Sequence, residues 1–216
     1  MNDETPIRVV LADDHPLLLG GLDQLLSLER DIRVVARCPN GNEALAAIAR
    51  ERPHVAVVDL TMPGRSGLDL LRELAAIRSS VRLVLLTARI EHEQVLEAMK
   101  LGVAGIVLKE SAPLQILDCI RRVATGEQWI DHVIGSRTLD AVLRRQAGAA
   151  KAAAVLTSRE VEVVRNVARG LRNKEIADLL SITEGTVKAH LRTIFEKLAI
   201  DSRTKLIVYA RETLLS

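Results

Sequence analysis

Three aspartates, a threonine and a lysine in the first half of the chain each stand at the end of a short apolar run. Asp13 and Asp14 follow IRVVLA, Asp59 closes VAVVD, Thr87 closes RLVLLT, and Lys109 follows GIVL. Carboxylates bind divalent cations and attack phosphorus, whereas hydroxyl and ammonium groups stabilise a phosphoryl group during transfer. These residue types therefore indicate metal-assisted phosphoryl chemistry, provided that the fold brings them together.

A cluster of three carboxylates needs a cation, because like charges repel and burial removes their hydration. Mg²⁺ prefers carboxylate and carbonyl oxygens together with water. We expect Asp14 and Asp59 to bind Mg²⁺ directly, and Asp13 to bind it directly or through a water molecule. A carboxylate of this kind can accept a phosphoryl group, with Lys109 neutralising the charge and Thr87 donating a hydrogen bond.

The elements that must position these residues alternate between strand and helix patterns through residue 125. Nearly continuous apolar runs predict five parallel strands, at Ile7–Ala12, Ile32–Arg37, Val55–Asp59, Arg82–Thr87 and Gly105–Leu108. Helical spacing lies between them, at Pro16–Leu28, Gly41–Arg52, Ser66–Arg78, Glu91–Leu101 and Ala112–Thr125, the last with Ser111 as N-cap. Five such units predict a doubly wound α/β fold, whose strands converge at their carboxyl ends on one crevice.

Each of these polar residues also has an ordinary structural interpretation. A single aspartate at a strand end usually caps a turn, and Asp13-Asp14 followed by His15-Pro16 is compatible with a turn that opens a helix. The conjunction of five polar residues at four strand ends on one sheet edge favours a functional site over these separate explanations.

The arrangement resembles the receiver domain of two-component response regulators. The resemblance rests on Asp13-Asp14, the segment VVDLTMPGRSG around Asp59, Thr87, and GIVLK ending at Lys109, and it covers about residues 5–125. It implies that Asp59 is the phosphoacceptor and that the backbone carbonyl of Thr61 completes the metal site.

Further roles follow from the same resemblance. Thr61 and Arg89 would flank the phosphoryl group and influence its hydrolysis, and Pro63 and Gly64 would shape the loop after the phosphoacceptor. Many receivers carry Tyr or Phe three residues before the lysine as a switch, but Ile106 stands at that position here. An aromatic switch is therefore not expected.

The strand pattern stops after residue 125, and the rest of the chain is expected to be helical. A helix is predicted over Ser136–Gln146, and the small-residue segment Ala147–Val155 is interpreted as an interdomain tether or, alternatively, as one more helix because Ala is the best helix former. The predicted domains are thus a receiver at 5–125, a linker with a helix at 126–155, and a helical domain at 156–216. Thr157 and Glu160 form a capping-box pattern at the start of the last domain.

Two helices separated by a three-residue turn form the centre of the helical domain. They are predicted at Asn173–Leu180, with Asn173 as N-cap, and at Glu184–Leu198, with Thr183 as N-cap. Lys188, Ala189 and Arg192 lie between the apolar positions of the second helix and therefore face outward, as recognition-helix residues do. On pattern alone, an ordinary αα-hairpin with a solvated charged face is an equal alternative.

The longer motifs resemble the LuxR-type helix-turn-helix. LTSREVEVV, GLRNKEIADLL and TEGTVKAHLRTIFEKL carry the match over residues 156–210, and both domains together resemble the NarL/FixJ family of response regulators. The resemblance implies that Lys188, Ala189 and Arg192 approach bases of double-stranded DNA. It also implies phosphate contacts from three further residues, Thr186, Lys174 and Arg203.

The last predicted helix, Arg203–Leu214, has two interpretations. Leu206, Ile207, Ala210 and Leu214 recur at helical spacing, so this face is either buried within the domain or forms the two-fold interface of a homodimer on DNA, which is the interpretation that the family favours. In the unphosphorylated protein, the receiver covering Lys188–Arg192 is one hypothesis for control, and phosphorylation-driven dimerisation is another.

Composition limits the remaining possibilities. The 216-residue chain carries a net charge of +2, and its three aromatic residues, Trp129, Phe195 and Tyr209, are too few for a nucleic-acid stacking platform. Residues 1–125 have a net charge of −2 and residues 156–216 of +3, which is compatible with DNA binding by the second domain. Two isolated cysteines and the lack of a signal or membrane pattern predict a cytoplasmic protein with no membrane contact.

The sequence therefore predicts a response regulator and transcription factor that a sensor histidine kinase or a small phosphodonor phosphorylates on Asp59, and that is not a turnover enzyme. One alternative is a haloacid-dehalogenase-type phosphatase, but such enzymes carry a second Asp where this chain has Thr61. The other is a transcription factor with a degenerate receiver, which the complete acidic set disfavours.

Overall fold

The computed structural model describes the backbone of residues 5–213, and the side chains in that range apart from 144, 145, 147–153 and 211–213. The chain divides into two compact units, Met1–Thr138 and Leu139–Ser216. The first unit contains β1 Ile7–Ala12, α1 Pro16–Ser27, β2 Ile32–Cys38, α2 Gly41–Glu51, β3 Val55–Asp59, α3 Gly67–Ala76, β4 Arg82–Thr87, α4 His92–Lys100, β5 Gly105–Leu108, α5 Ala112–Ala124 and β6 Trp129–Ile130. Helix α6, His132–Val155, crosses the boundary, and α7 Ser158–Ala168, α8 Asn173–Leu180, α9 Glu184–Leu198 and α10 Arg203–Thr213 follow.

The sheet of the first unit is parallel throughout, with the strand order β2-β1-β3-β4-β5-β6. This order confirms the doubly wound α/β fold, with β3 and β4 at the centre of the sheet. The prediction of five strands was wrong by one, because β6 pairs Trp129 with Gly105 and Ile130 with Ile106. A two-residue edge strand has no apolar run long enough to appear as a strand in the sequence.

Both faces of the sheet are covered, which explains the continuous apolar runs in its strands. Leu22 and Leu26 of α1 pack with Ile116 and Ile120 of α5 on one face, and α2, α3 and α4 cover the other. Because each fully buried Leu or Ile contributes roughly 1.5–3 kcal/mol, these two layers hold the strand ends in a fixed arrangement. The loops at the carboxyl ends of the strands are therefore presented by a rigid scaffold.

Most of the residues between the two predicted domains belong to one helix, α6, which begins at His132 after the short strand β6. The predicted helix Ser136–Gln146 lies inside α6, and the backbone of Ala147–Val155 continues that helix, as the alternative interpretation held. The high helix propensity of alanine accounts for this outcome. The boundary between the two compact units, at Thr138 and Leu139, falls within the proposed linker 126–155. Strand β6 and the first turns of α6 therefore belong to the first unit.

The second unit is a helical domain, as expected. The capping box at Thr157 and Glu160 is present at the start of α7, and α8 and α9 have the predicted bounds. Val163, Val167 and Ile194 are fully buried in the core of this domain. Among the residues that the structure describes, no helix has the length and apolar character needed to cross a membrane.

Candidate functional site

The carboxyl ends of β1, β3 and β5 bring the predicted acidic residues and the lysine together. Asp13 and Asp59 are only 1% and 3% exposed. The Lys109 Nζ atom lies 2.8 Å from Asp13 Oδ2 and 2.8 Å from Asp59 Oδ2, so one ammonium group is shared by two buried carboxylates. The apolar strands fix this geometry, because each of the three residues leaves its strand at the same edge of the sheet.

The local environment shifts the acid–base properties of these groups. Burial raises the pKa of Asp59, and the nearby Asp13 adds to this effect, while hydrogen bonds from Lys109 and the Thr61 amide oppose it. Burial opposes the charged form of Lys109, but Asp13 and Asp59 outweigh it and raise the lysine pKa. Lys109 therefore remains cationic at neutral pH.

His15 also belongs to this cluster, and the sequence analysis did not assign it a role. Its Nδ1 atom lies 3.0 Å from Asp13 Oδ1 and 2.8 Å from Asp14 Oδ1. The sequence signal was the position of His15 immediately after the two aspartates, but the residue was interpreted as part of a turn that opens α1. It stands at the N-cap of α1, with no capping hydrogen bond from its side chain.

The cluster has dimensions that suit a divalent cation. One ligand atom from each of Asp13, Asp14, His15 and Asp59 lies within 4.8 Å of the others. In octahedral coordination, ligand atoms about 2.1 Å from the metal are about 3–4 Å from one another. Asp13 Oδ2 is buried 2.8 Å from Lys109 Nζ, and Asp14 Oδ1 is buried 2.8 Å from His15 Nδ1, so each oxygen has one nitrogen neighbour and a further lone pair. Their lone pairs therefore suit a metal ligand role.

The loop after β3 turns around the Asp59 carboxylate. The Thr61 amide donates a hydrogen bond of 3.3 Å to Asp59 Oδ1, and the Thr61 side chain is exposed. Gly64 has a φ of +82°, and a Cβ atom there would lie 2.8 Å from Asn42 Nδ2, so the loop requires glycine at this position. The Pro63 carbonyl accepts a hydrogen bond from the Gly41 amide at 3.4 Å.

Thr87 ends β4 as predicted, but its hydroxyl is engaged within its own loop. The Thr87 Oγ1 atom donates to the Arg89 carbonyl at 2.6 Å and accepts from the Arg89 amide at 3.2 Å. The Arg89 side chain is exposed and lies 3.7 Å from Glu91. Ile106 is fully buried in the sheet, so no aromatic side chain occupies this switch position.

The predicted DNA-reading residues lie on the exposed face of α9. Lys188 and Arg192 are 65% and 83% exposed, and Ala189 is exposed beside them. Lys188 forms an ion pair with Glu184 at 2.9 Å, and Arg192 with Glu196 at 3.2 Å. Such exposed pairs contribute about 0–1 kcal/mol, so both cations remain available to another partner.

The residues predicted to contact phosphates have different environments. Lys174 and Thr186 are exposed, and the Thr186 amide is capped by Thr183 Oγ1 at 3.1 Å, as expected for the start of α9. Arg203 instead donates a hydrogen bond of 3.0 Å to Asn173 Oδ1 and another to the Leu171 carbonyl. Its guanidinium group therefore holds α10 to the start of α8.

The Arg203 contact also corrects the predicted cap of α8. The N-cap residue is Arg172, whose amide donates to Glu175 Oε2 at 2.6 Å, and not Asn173. The Asn173 side chain is used by Arg203 and cannot cap the helix at the same time. Ser111 does stand at the N-cap of α5, but its hydroxyl donates to Asp131 Oδ2 at 2.8 Å instead of capping.

The apolar face of α10 packs inside the second unit. Leu206 and Ala210 are fully buried and Ile207 is partly buried, so the burial interpretation holds for these residues; Leu214 lies outside the described residues. Val208 is the large apolar side chain of α10 that is half exposed.

The same two domains are found in known proteins. A family model for the response regulator receiver domain matches residues 9–121, and one for bacterial regulatory proteins of the luxR family matches residues 154–210. The chain is 32% identical over 212 residues to the nitrate/nitrite response regulator protein NarL of Escherichia coli (strain K12). The aligned region covers 98% of each protein.

Two solved structures of full-length regulators are also similar. The response regulator ChrA of a heme-sensing two-component system aligns with a TM-score of 0.55 and 32% identity, covering 96% of this chain and 97% of that one. A DNA complex of the two-component response regulator RcsB aligns with a TM-score of 0.63 and 25% identity, covering 96% and 99%. The chain therefore belongs to the NarL/FixJ family of two-component response regulators, transcription regulators that join a receiver domain to a LuxR-type DNA-binding domain.

Proposed function

We propose that Asp59 is the residue through which a sensor histidine kinase controls this regulator. The supporting observation is the buried Asp59 carboxylate at the end of β3, 2.8 Å from the ammonium group of Lys109. A carboxylate oxygen of Asp59 attacks the phosphorus of the donor. The bond from phosphorus to the donor's histidine nitrogen, or to the acyl oxygen of a small phosphodonor, breaks, and its electron pair leaves with the donor.

Asp13, Asp14, Asp59 and the Thr61 carbonyl are the proposed Mg²⁺ site. When bound, Mg²⁺ supplies positive charge that stabilises the phosphoryl oxygens in transfer. Lys109 orients its ammonium group toward the same oxygens, which Thr61 and Arg89 flank. The acidic set and its size support this assignment.

Thr87 is the proposed hydroxyl donor to the phosphoryl group. Its hydroxyl must leave the Arg89 carbonyl to reach that position, which exchanges one hydrogen bond worth about 1 kcal/mol for a charge-assisted one. The displaced β4–α4 loop would then bias the receiver toward an active state that dimerises. Ile106 is buried and has no aromatic ring that could turn inward in this step.

In the active state, a homodimer binds double-stranded DNA through α9 of each copy. The base edges are read by Lys188, Ala189 and Arg192, and the phosphates are contacted by Lys174 and Thr186. Arg203 supports α8, and it approaches a phosphate only if it releases Asn173. The protein acts in the cytoplasm, where its DNA target lies. It is a regulator and not a turnover enzyme, because the phosphoryl group is transferred to its own Asp59 carboxylate and not to a substrate.

Phosphorylation is tested by incubating the full chain with acetyl phosphate and Mg²⁺. We expect one base-labile phosphoryl group on the wild type and none on Asp59→Asn, while Asp118→Asn, an exposed substitution with the same charge change, is labelled like the wild type. Labelling of Asp59→Asn would overturn the assignment.

The DNA interface is tested on a duplex selected from random-sequence DNA by the protein carrying beryllofluoride. Arg192→Ala should weaken binding to the selected duplex by about 1–3 kcal/mol and reduce the preference for one base at one position of the site. Lys174→Ala should weaken binding to duplexes of any sequence and reduce the slope of log affinity against log salt concentration by about one. Lys100→Ala, on α4, is the control. Unchanged binding by both test variants would contradict the assignment of α8 and α9.

A further inference from the structure

The position of His15 distinguishes this cluster from an all-oxygen metal site. Its Nδ1 atom lies within 3.0 Å of carboxylate oxygens from Asp13 and Asp14, and 3.4 Å from Lys109 Nζ. These neighbours form the inner wall of the proposed Mg²⁺ site. The imidazole nitrogen therefore stands among the same oxygen atoms that would surround a cation.

The backbone holds His15 in this position. Its amide donates a hydrogen bond of 2.8 Å to Asp13 Oδ1, so the residue cannot move away from the carboxylate without breaking that bond. The side chain is 68% exposed and makes no capping bond to α1, and its Nδ1 atom is at hydrogen-bond distance, 3.0 Å, from Asp13 Oδ1. A cation between these atoms would take the place of the Nδ1 proton, and the imidazole, protonated on Nε2, would then offer its Nδ1 lone pair to the metal.

We infer that His15 is a nitrogen ligand of this site and gives it a preference for divalent cations that accept imidazole. Mg²⁺ strongly prefers oxygen, whereas first-row transition metals from Mn²⁺ onward accept nitrogen with increasing affinity. Asp13, Asp14 and Asp59 serve both classes of cation, and His15 adds affinity only for the second. The inference rests on the proposed metal site and adds a determinant of its selectivity.

The test uses the full chain loaded with Mn²⁺ or Mg²⁺. Pulsed electron paramagnetic resonance of the Mn²⁺-loaded wild type should show modulation from a directly coordinated ¹⁴N nucleus, and His15→Ala should lack it. By calorimetry, His15→Ala should lower the ratio of Mn²⁺ to Mg²⁺ affinity about tenfold. The control is His132→Ala, which removes an exposed histidine from the first turn of α6 and should change neither result.

The outcomes separate this inference from the proposed function. Mn²⁺ binding without ¹⁴N modulation, or an affinity ratio that His15→Ala leaves unchanged, would overturn the role of His15 while leaving the carboxylate site intact. If neither cation binds the wild type, the proposed metal site fails together with the inference. Loss of both ¹⁴N modulation and selectivity in His15→Ala alone would support it.

Discussion

At the scale of single residues, Gly67 constrains the end of β3, the strand that carries Asp59, the proposed phosphoacceptor. A Cβ atom on Gly67 would lie 2.7 Å from the Asp59 carbonyl oxygen and 2.7 Å from Leu85 Cδ2. A shift of the Leu85 side chain would relieve the second contact but not the first, because the carbonyl belongs to the backbone of β3. The first turn of α3 therefore packs directly against the strand that carries Asp59.

We expect Gly67→Ala to lower the free energy of unfolding by about 1–3 kcal/mol through overpacking. It should also slow phosphorylation by acetyl phosphate, because the displaced β3 end moves Asp59 relative to Lys109. Urea unfolding and phosphoprotein gels measure the two effects. The control is Gly20→Ala in α1, where an added Cβ meets no atom within 4 Å; it should be neutral or stabilising, since Ala is the better helix former. Equal stability of the two variants would contradict the packing argument.

The sequence predicted the site residues that are defined by chemical type, and missed those that are defined by packing. Asp13, Asp59 and Lys109 were identifiable because strand ends carry unusual polar residues. Gly67 ends the segment VVDLTMPGRSG, but no sequence pattern assigned it a role, because that role depends on the distance between α3 and β3. Arg203 was assigned to phosphate by resemblance, whereas its bonds to Leu171 and Asn173 depend on tertiary contacts between α8 and α10.

At the scale of elements, Glu160 joins the start of α7 to the end of α9. Glu160 is 4% exposed, accepts a hydrogen bond of 2.7 Å from the Thr157 amide, and lies 2.7 Å from Lys197 Nζ. Burial opposes ionisation of Glu160, but the bonds from Lys197 and Thr157 outweigh it and lower its pKa. Helix α9, the proposed recognition helix, is therefore held to the domain core by a charged contact.

This contact predicts a dependence of domain stability on pH. A carboxyl group with a lowered pKa stabilises the folded state above its unfolded-state pKa, 4.5, and the stabilisation is lost as the pH falls through the lower folded-state value. Glu160→Gln should therefore cost about 1–3 kcal/mol near neutral pH, and the difference from wild type should shrink below about pH 4.5.

Hydrogen exchange of α9 amides in the full chain, followed across this pH range, measures the effect. Glu162→Gln, on the same helix and half exposed in a pair with Arg159, should show no such pH-dependent difference. A difference between Glu160→Gln and wild type that stayed constant down to the lowest pH would show that the Glu160 charge does not support α9.

At the scale of elements, the helices and strands with long regular patterns could be predicted from the sequence, whereas a very short strand and a small-residue segment were predicted wrongly. The bounds of α8 and α9 follow from apolar spacing and the Thr183 cap, so they were predictable. Strand β6 has only two residues, and it forms because β5 offers an unpaired edge that no local pattern reveals. The tether at Ala147–Val155 was wrong because low complexity was weighed above the helix propensity of alanine.

At the scale of the whole molecule, the proposed control requires a signal to pass from Asp59 to the second unit, and Ile106 provides no aromatic ring for it. Lys109 contacts Asp13 and Asp59, and two residues later Ser111 donates a hydrogen bond of 2.8 Å to the buried Asp131. The same Asp131 accepts a bond of 2.9 Å from the Val133 amide, in the first turn of α6. The boundary between the two compact units, at Thr138 and Leu139, lies within the same helix α6.

This chain of contacts predicts that Asp131 couples the two functions. Asp131→Ala should be phosphorylated by acetyl phosphate at nearly the wild-type rate, because Asp13, Asp59 and Lys109 are unchanged. The gain in affinity for the selected duplex that beryllofluoride produces should be smaller than in the wild type. Asp131→Asn should restore part of the gain, since an amide can still bond to Ser111 and to the Val133 amide. Fluorescence anisotropy of the labelled duplex, with and without beryllofluoride, measures the gain in affinity. A wild-type gain in Asp131→Ala would mean that the signal leaves the receiver by another route, such as the β4–α4 loop that carries Thr87.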